Sequence, residues 1–291
     1  MSEGRGAGSG KVILLGEHAV VHGQPAIAAG LGYGVRVVAR SQAAGVAGGP
    51  PGELRAALEA AAAAVGGVKV ESVSVTIEGD LPVAMGLGSS AALSVALVRA
   101  FADFTGRSLD EDSTARAANE VERVFHGTPS GIDANTATRG GLLWFEAGPP
   151  PLAEPLRPPA ALPIVVALSG TRHHTGQTVG GLRERAEALP EVYEPVFAAI
   201  GDLVRAGRGA IERGDWGRLG AVMSMNHELL RACGVSTGEL DRLVAKARSC
   251  GALGAKLTGA GGGGAAVALA DGDPAALAGR LKESGWESFV A

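Results

Sequence analysis

The segment Pro82–Ala92, PVAMGLGSSAA, constrains this chain more than any other. Ala84, Gly86 and Gly88 carry little or no side chain, so the backbone there can approach a ligand closely. Ser89 and Ser90 close the loop and add hydroxyls. From Ala91 the run AALSVALVRAFADF places Leu93, Leu97, Val98 and Phe101 at helical spacing. A small-residue turn that ends at a helix start presents unpaired N–H groups and the positive end of the helix dipole, which together form an anion site. The same pattern also fits a plain serine-capped turn, so the rest of the chain must decide.

Composition narrows the classes. With 291 residues and 46% hydrophobic content, the chain can bury one large core or two medium ones. A net charge of -4 with no basic block argues against nucleic acid as a partner. No run of about 18 apolar residues occurs, so no membrane span is expected. The opening MSEGRGAGSG lacks an apolar core and does not read as a secretory signal; Met1–Gly10 is expected to be flexible. Cys233 and Cys250 have neither CxxC nor metal spacing and read as reduced thiols of a cytoplasmic protein.

Along the chain, Lys11–Leu15 predicts a buried strand, followed by GEHAVVHG, in which Glu17 and His18 stand at the strand's end where a scaffold displays functional groups. Tyr33–Ser41 and Lys69–Glu78 read as strands and Glu53–Val65 as a helix. After the glycine loop, a helix over Leu109–His126 with Ser108 or Asp110 as cap places Glu122 and His126 on one face. The loop GTPSGID then delivers Asp133 to the first turn of the next element. Ala147–Pro163 holds seven of the fifteen prolines, which sets the expected domain boundary, giving 1–155 and 156–291. Arg172, His173 and His174 make the following loop locally cationic.

Three motif matches fail on context. GSGK before Val12 lacks the first glycine and the Ser or Thr of a Walker A loop. Gly259–Gly264 fits GxGxxG but precedes a strand-like AAVALA, not a helix. His227–Glu228 begins HExx, but Arg231 takes the place of the second histidine.

Three segments share an order: KVILLGEHAVVHG, PVAMGLGSSAA and KLTGAGGGG, the last over Lys256–Gly264. In content and order they resemble the GHMP small-molecule kinases, and GEHAVVHG with ERVFHGTPSGID is similar to the mevalonate kinase family within them. The usual APGK opening is GSGK here, and SGTRHHTGQTV differs from the DTG-like segment of many members. The resemblance implies an α+β, two-domain GHMP kinase fold, with an N-terminal nucleotide-binding domain like ribosomal protein S5 domain 2 and a ferredoxin-like C-terminal domain. It implies ATP-dependent phosphorylation of the C5 hydroxyl of mevalonate in isoprenoid biosynthesis.

It also implies roles. The loop Ala84, Met85, Gly86, Leu87, Gly88, Ser89 and Ser90 would cradle the phosphates of ATP. Ser90 and Glu122 would be the protein ligands of Mg²⁺. Asp133 would be the general base, paired with Lys11. Glu17 and His18 would face the acceptor, and Arg172 is added on charge and loop placement alone. A homodimer is a family expectation. Two other readings stay open: another GHMP kinase such as a phosphomevalonate kinase, which should carry more Lys or Arg around its acceptor, and a kinase-like metabolite sensor without turnover, which would not need Lys11, Ser90, Glu122 and Asp133 together.

Overall fold

A computed structural model describes residues 3–42, 52–82, 85–171 and 175–291. By internal contacts the chain forms two compact units, both discontinuous in sequence. The first takes in residues 1–11, 30–82 and 88–141, and the second residues 12–29, 83–87 and 142–291. The antiparallel sheets and grouped helices are those of the α+β class read from the sequence.

Strands β1 (Glu3–Leu15) and β2 (Ala26–Ser41) contribute to both units. The first unit adds α1 (Glu53–Val65), β3 (Val73–Gly79), α2 (Ser89–Phe104), α3 (Glu111–His126) and α4 (Ile132–Arg139). There β3 pairs antiparallel with Val35–Ser41 of β2. Asp110 caps α3 by accepting the Ser113 N–H at 2.7 Å, one of the two caps read from the sequence.

The expectation of a flexible opening is corrected: residues 3–10 are strand. Glycine occupies every second position, Gly4, Gly6, Gly8 and Gly10. A strand turns alternate residues to one face. On that face a Cβ at Gly4, Gly6 or Gly8 would collide with α2 backbone at Ala100, Ala96 or Ala92. The side chains are missing where the helix lies flush against the strand, and this pins the start of α2 next to Lys11. Helix α2 is buried along Ala92, Val95, Ala96 and Phe101.

The second unit adds β4 (Leu142–Glu146), β5 (Leu152–Leu156), β6 (Ile164–Leu168), α5 (Thr175–Ala188), α6 (Pro190–Arg213), α7 (Trp216–Ala232), α8 (Gly238–Ser249), β7 (Ala252–Thr258), β8 (Ala265–Ala270), α9 (Pro274–Glu283) and β9 (Ser288–Val290). Strand β5 was hidden by Pro155 within it and by the prolines on either side of it. Strand β4 pairs with both β5 and Ala26–Ala29 of β2. The second sheet runs β7-β8-β6-β9, all antiparallel. Alternate residues Ala266, Ala268 and Ala270 of β8 meet Leu243 and Val244 of α8 and Leu277 and Leu281 of α9, so small strand residues let two helices seat closely on one face. No helix among the described residues is long and apolar enough to cross a membrane.

Candidate active site

In the first unit, Gly88 is the residue before α2 and adopts the left-handed conformation (φ 75°) that favours glycine. It turns the chain so that Ser89 and Ser90 form the helix's first turn, where N–H groups have no acceptor within the helix. A Cβ at Gly88 would lie 2.7 Å from Cγ of Lys11, so the lysine stem runs against the loop at this point. Lys11 is 4% exposed, and its Nζ lies 3.1 Å from Oδ1 of Asp133. Gly131 (φ 88°) starts α4 and places Asp133 in its first turn. The geometry thus brings together Lys11, Asp133 and the α2 N-terminus.

Glu122 lies on α3 at 1% exposure. Its Oε1 accepts from Ser94 Oγ at 3.1 Å and its Oε2 from Ser90 Oγ at 3.3 Å. His126, one turn on, places Nε2 3.0 Å from Ser90 Oγ and 3.9 Å from Glu122 Oε2. Burial raises the Glu122 carboxyl to about 7, and the nearby negative charge of Asp133 pushes the same way. A divalent cation would relieve that repulsion. The donors here are a hydroxyl and a carboxylate, the oxygen chemistry that Mg²⁺ prefers. Among the described residues no cluster of three or more His, Cys, Asp or Glu could hold a metal by itself. Two protein oxygens fit an ion that takes its other ligands from phosphate and water. Ser94 and His126 were not read as part of this group, although the spacing of Glu122 and His126 had put them on one face.

In the second unit, Glu17 is 1% exposed and its carboxylate meets the ammonium of Lys256, which is fully buried. Reading Glu17 as turned toward an acceptor did not include this inward partner. His18 has φ 62°, the one non-glycine residue with positive φ among the described residues, and its Nε2 lies 3.0 Å from the Ala260 carbonyl oxygen. Burial lowers the His18 imidazole to about 4. Gly259–Gly264 joins β7 to the antiparallel β8, and no helix follows, as the rejection of a dinucleotide loop required. Met85 and Gly86 lie against this turn: a Cβ at Gly264 would sit 2.8 Å from the Met85 carbonyl oxygen and one at Gly259 3.2 Å from that of Gly86. Ala84 and Arg172 lie outside the described residues.

His227 is a buried core residue. Its Nδ1 accepts the Leu257 N–H at 3.4 Å and its Nε2 faces Asp241 Oδ1 at 3.5 Å. Burial, helped by the Lys256 charge, lowers it to about 4. The unfolded chain therefore binds one more proton than the folded one between about pH 6.5 and pH 4, and stability falls as pH drops through that window. Going from pH 7.5 to pH 5 should cost about 2 kcal/mol through this residue. Urea unfolding of the wild type and of His227→Gln checks this: the variant should lose less stability over that range, and equal losses would contradict the assignment.

Comparison with known proteins bears on the family and the fold. The model of the GHMP kinases N terminal domain matches residues 53–141 and that of the GHMP kinases C terminal domain residues 208–285. The mevalonate kinase of Pyrococcus horikoshii is 36% identical, over 94% of this chain and 91% of that protein. The mevalonate kinase of Aeropyrum pernix is 37% identical, over 91% and 88%. The crystal structure of L. major mevalonate kinase in complex with R-mevalonate superposes with a TM-score of 0.82 at 32% identity, covering 96% of this chain and 91% of that one. The fold is the two-domain GHMP kinase fold, and likeness of this extent shows that the chain belongs to the mevalonate kinase family of the GHMP kinases.

Proposed function

We infer that this chain transfers the terminal phosphoryl group of ATP to the C5 hydroxyl of mevalonate, giving ADP and 5-phosphomevalonate. The observation that carries the reading is the Lys11–Asp133 pair, 3.1 Å apart, with the lysine stem packed on the glycine that opens α2.

Phosphoryl transfer asks the protein for positioning and charge stabilisation more than for covalent chemistry. The loop 84–90 would hold the phosphates on backbone N–H groups at the helix start. Asp133 would accept the hydroxyl proton as the C5 oxygen bonds to phosphorus and the bond to ADP breaks. Lys11 would stabilise both the emerging alkoxide and the charge on the equatorial oxygens. Ser90 and Glu122 would hold Mg²⁺, which when bound neutralises phosphate charge. His18, and Arg172 on its sequence context, are proposed to meet the acceptor, with Glu17 acting from inside the fold. The two family segments fall on either side of the proposed domain boundary at 155/156. Cytoplasmic residence and a homodimer belong to the same proposal.

ADP release measured with mevalonate, phosphomevalonate, galactose and homoserine tests it. Mevalonate should exceed each of the others in kcat/KM by at least about a hundredfold, roughly 3 kcal/mol of transition-state discrimination. A preference for phosphomevalonate, or nucleotide binding with no turnover on any acceptor, would overturn the assignment.

A further inference from the structure

Several polar contacts tie the end of β1 and the turn after it to α7, β7 and the turn after β7, all within the second unit. Thr258 Oγ1 accepts the Ile13 N–H at 2.8 Å and donates to the Ile13 carbonyl at 3.0 Å. The Gly16 N–H reaches Asn226 Oδ1 at 3.3 Å. His18 reaches Ala260. At the centre is Lys256, fully buried, whose ammonium meets the Glu17 carboxylate, donates to the Leu257 carbonyl at 2.7 Å and lies 3.5 Å from the Ile13 carbonyl.

Stability alone explains such a pair poorly, because two apolar side chains of similar length serve a core as well or better. What the pair does fix is direction. The residue next to Glu17 is His18, held at a φ of 62°, which a side-chain-bearing residue adopts only when its surroundings impose it. Resting on the phosphotransferase reading above, we propose that Lys256 is a positioning residue for the reaction: by anchoring Glu17 and the carbonyls of Ile13 and Leu257, it holds His18 in the conformation that receives the acceptor. It touches no substrate and acts through the first motif.

The test is the double variant Glu17→Met/Lys256→Met, which removes both charges of the pair together, beside Lys256→Met alone. Wild-type enzyme is assayed first with mevalonate and ATP; absence of turnover there would count against the functional reading itself. Given turnover, the single variant should melt well below the wild type, since it leaves the Glu17 carboxylate buried without its ammonium. The double variant should recover most of that loss. Its KM for mevalonate should still be raised at least about tenfold, with KM for ATP within about twofold, because a displaced acceptor contact is not repaired by restoring stability. Amide exchange over residues 16–20 should also quicken in the ligand-free double variant. A double variant with mevalonate KM near that of the wild type, an equal rise in both KM values, or failure of the double variant to fold would each overturn the proposal, the last because the pair would then serve folding itself.

Discussion

Asp133→Asn should lower kcat by at least about a hundredfold, the range over which a positioned acid or base contributes. Asparagine keeps the size of the side chain and its place in the first turn of α4, so the fold should be retained. What it removes is the charge 3.1 Å from the Lys11 ammonium and the site for the hydroxyl proton. With a loose transition state the proton can leave late, and the carboxylate then acts by orienting the hydroxyl and by balancing Lys11. Both roles are lost in the variant. KM for ATP should move by less than about threefold, because the phosphate cradle lies on α2 and its loop; an interaction made only in the transition state shows in kcat. Single-turnover kinetics with mevalonate would separate chemistry from product release. A chemical step within about fivefold of the wild type would remove Asp133 from the proton path.

The parts of this site legible in the sequence are those built from neighbours in the chain. Gly86, Gly88 and the serines announce a tight turn into a helix; α2 begins at Ser89, so the two serines read as closing the loop already belong to its first turn. Asp110 as a cap and Asp133 in the turn after Gly131 were legible in the same way. The long-range partners were not legible from local pattern. Glu17 and Lys256 are 239 positions apart, and nothing near either one names the other. A single lysine inside the apolar run ALGAKLT was the available signal, since a buried ammonium demands an anion. Glycine is a poor strand former by propensity, so EGRGAGSG looked unstructured. Its period of two becomes meaningful only once α2 is seen to occupy the space where side chains would be. Prolines similarly masked β5, which pairs along one edge with β4.

Lys11→Met should cost about 10²- to 10³-fold in kcat, roughly 3 to 4 kcal/mol, the usual loss on removing one preorganised charge from a phosphoryl-transfer site. The fold should tolerate it. Methionine keeps the stem that packs on Gly88, and the carboxylate left behind, on a side chain 31% exposed, stays in reach of water. Unlike Asp133→Asn, this variant should also weaken ATP binding, since the ammonium serves the phosphates as well as the alkoxide. Lys11→Arg should not rescue it, because a planar guanidinium does not replace a compact ammonium in a 4% exposed slot. The decisive measurement is the double variant Lys11→Met/Asp133→Asn. Two groups that act as one unit on a shared proton and charge lose most of their effect once either is gone, so the double should fall within about tenfold of the worse single variant. Independent contributions would instead multiply, to at least about 10⁴-fold below the wild type. Multiplicative losses would mean that the 3.1 Å pair is a structural contact and that the lysine and the aspartate serve the reaction separately.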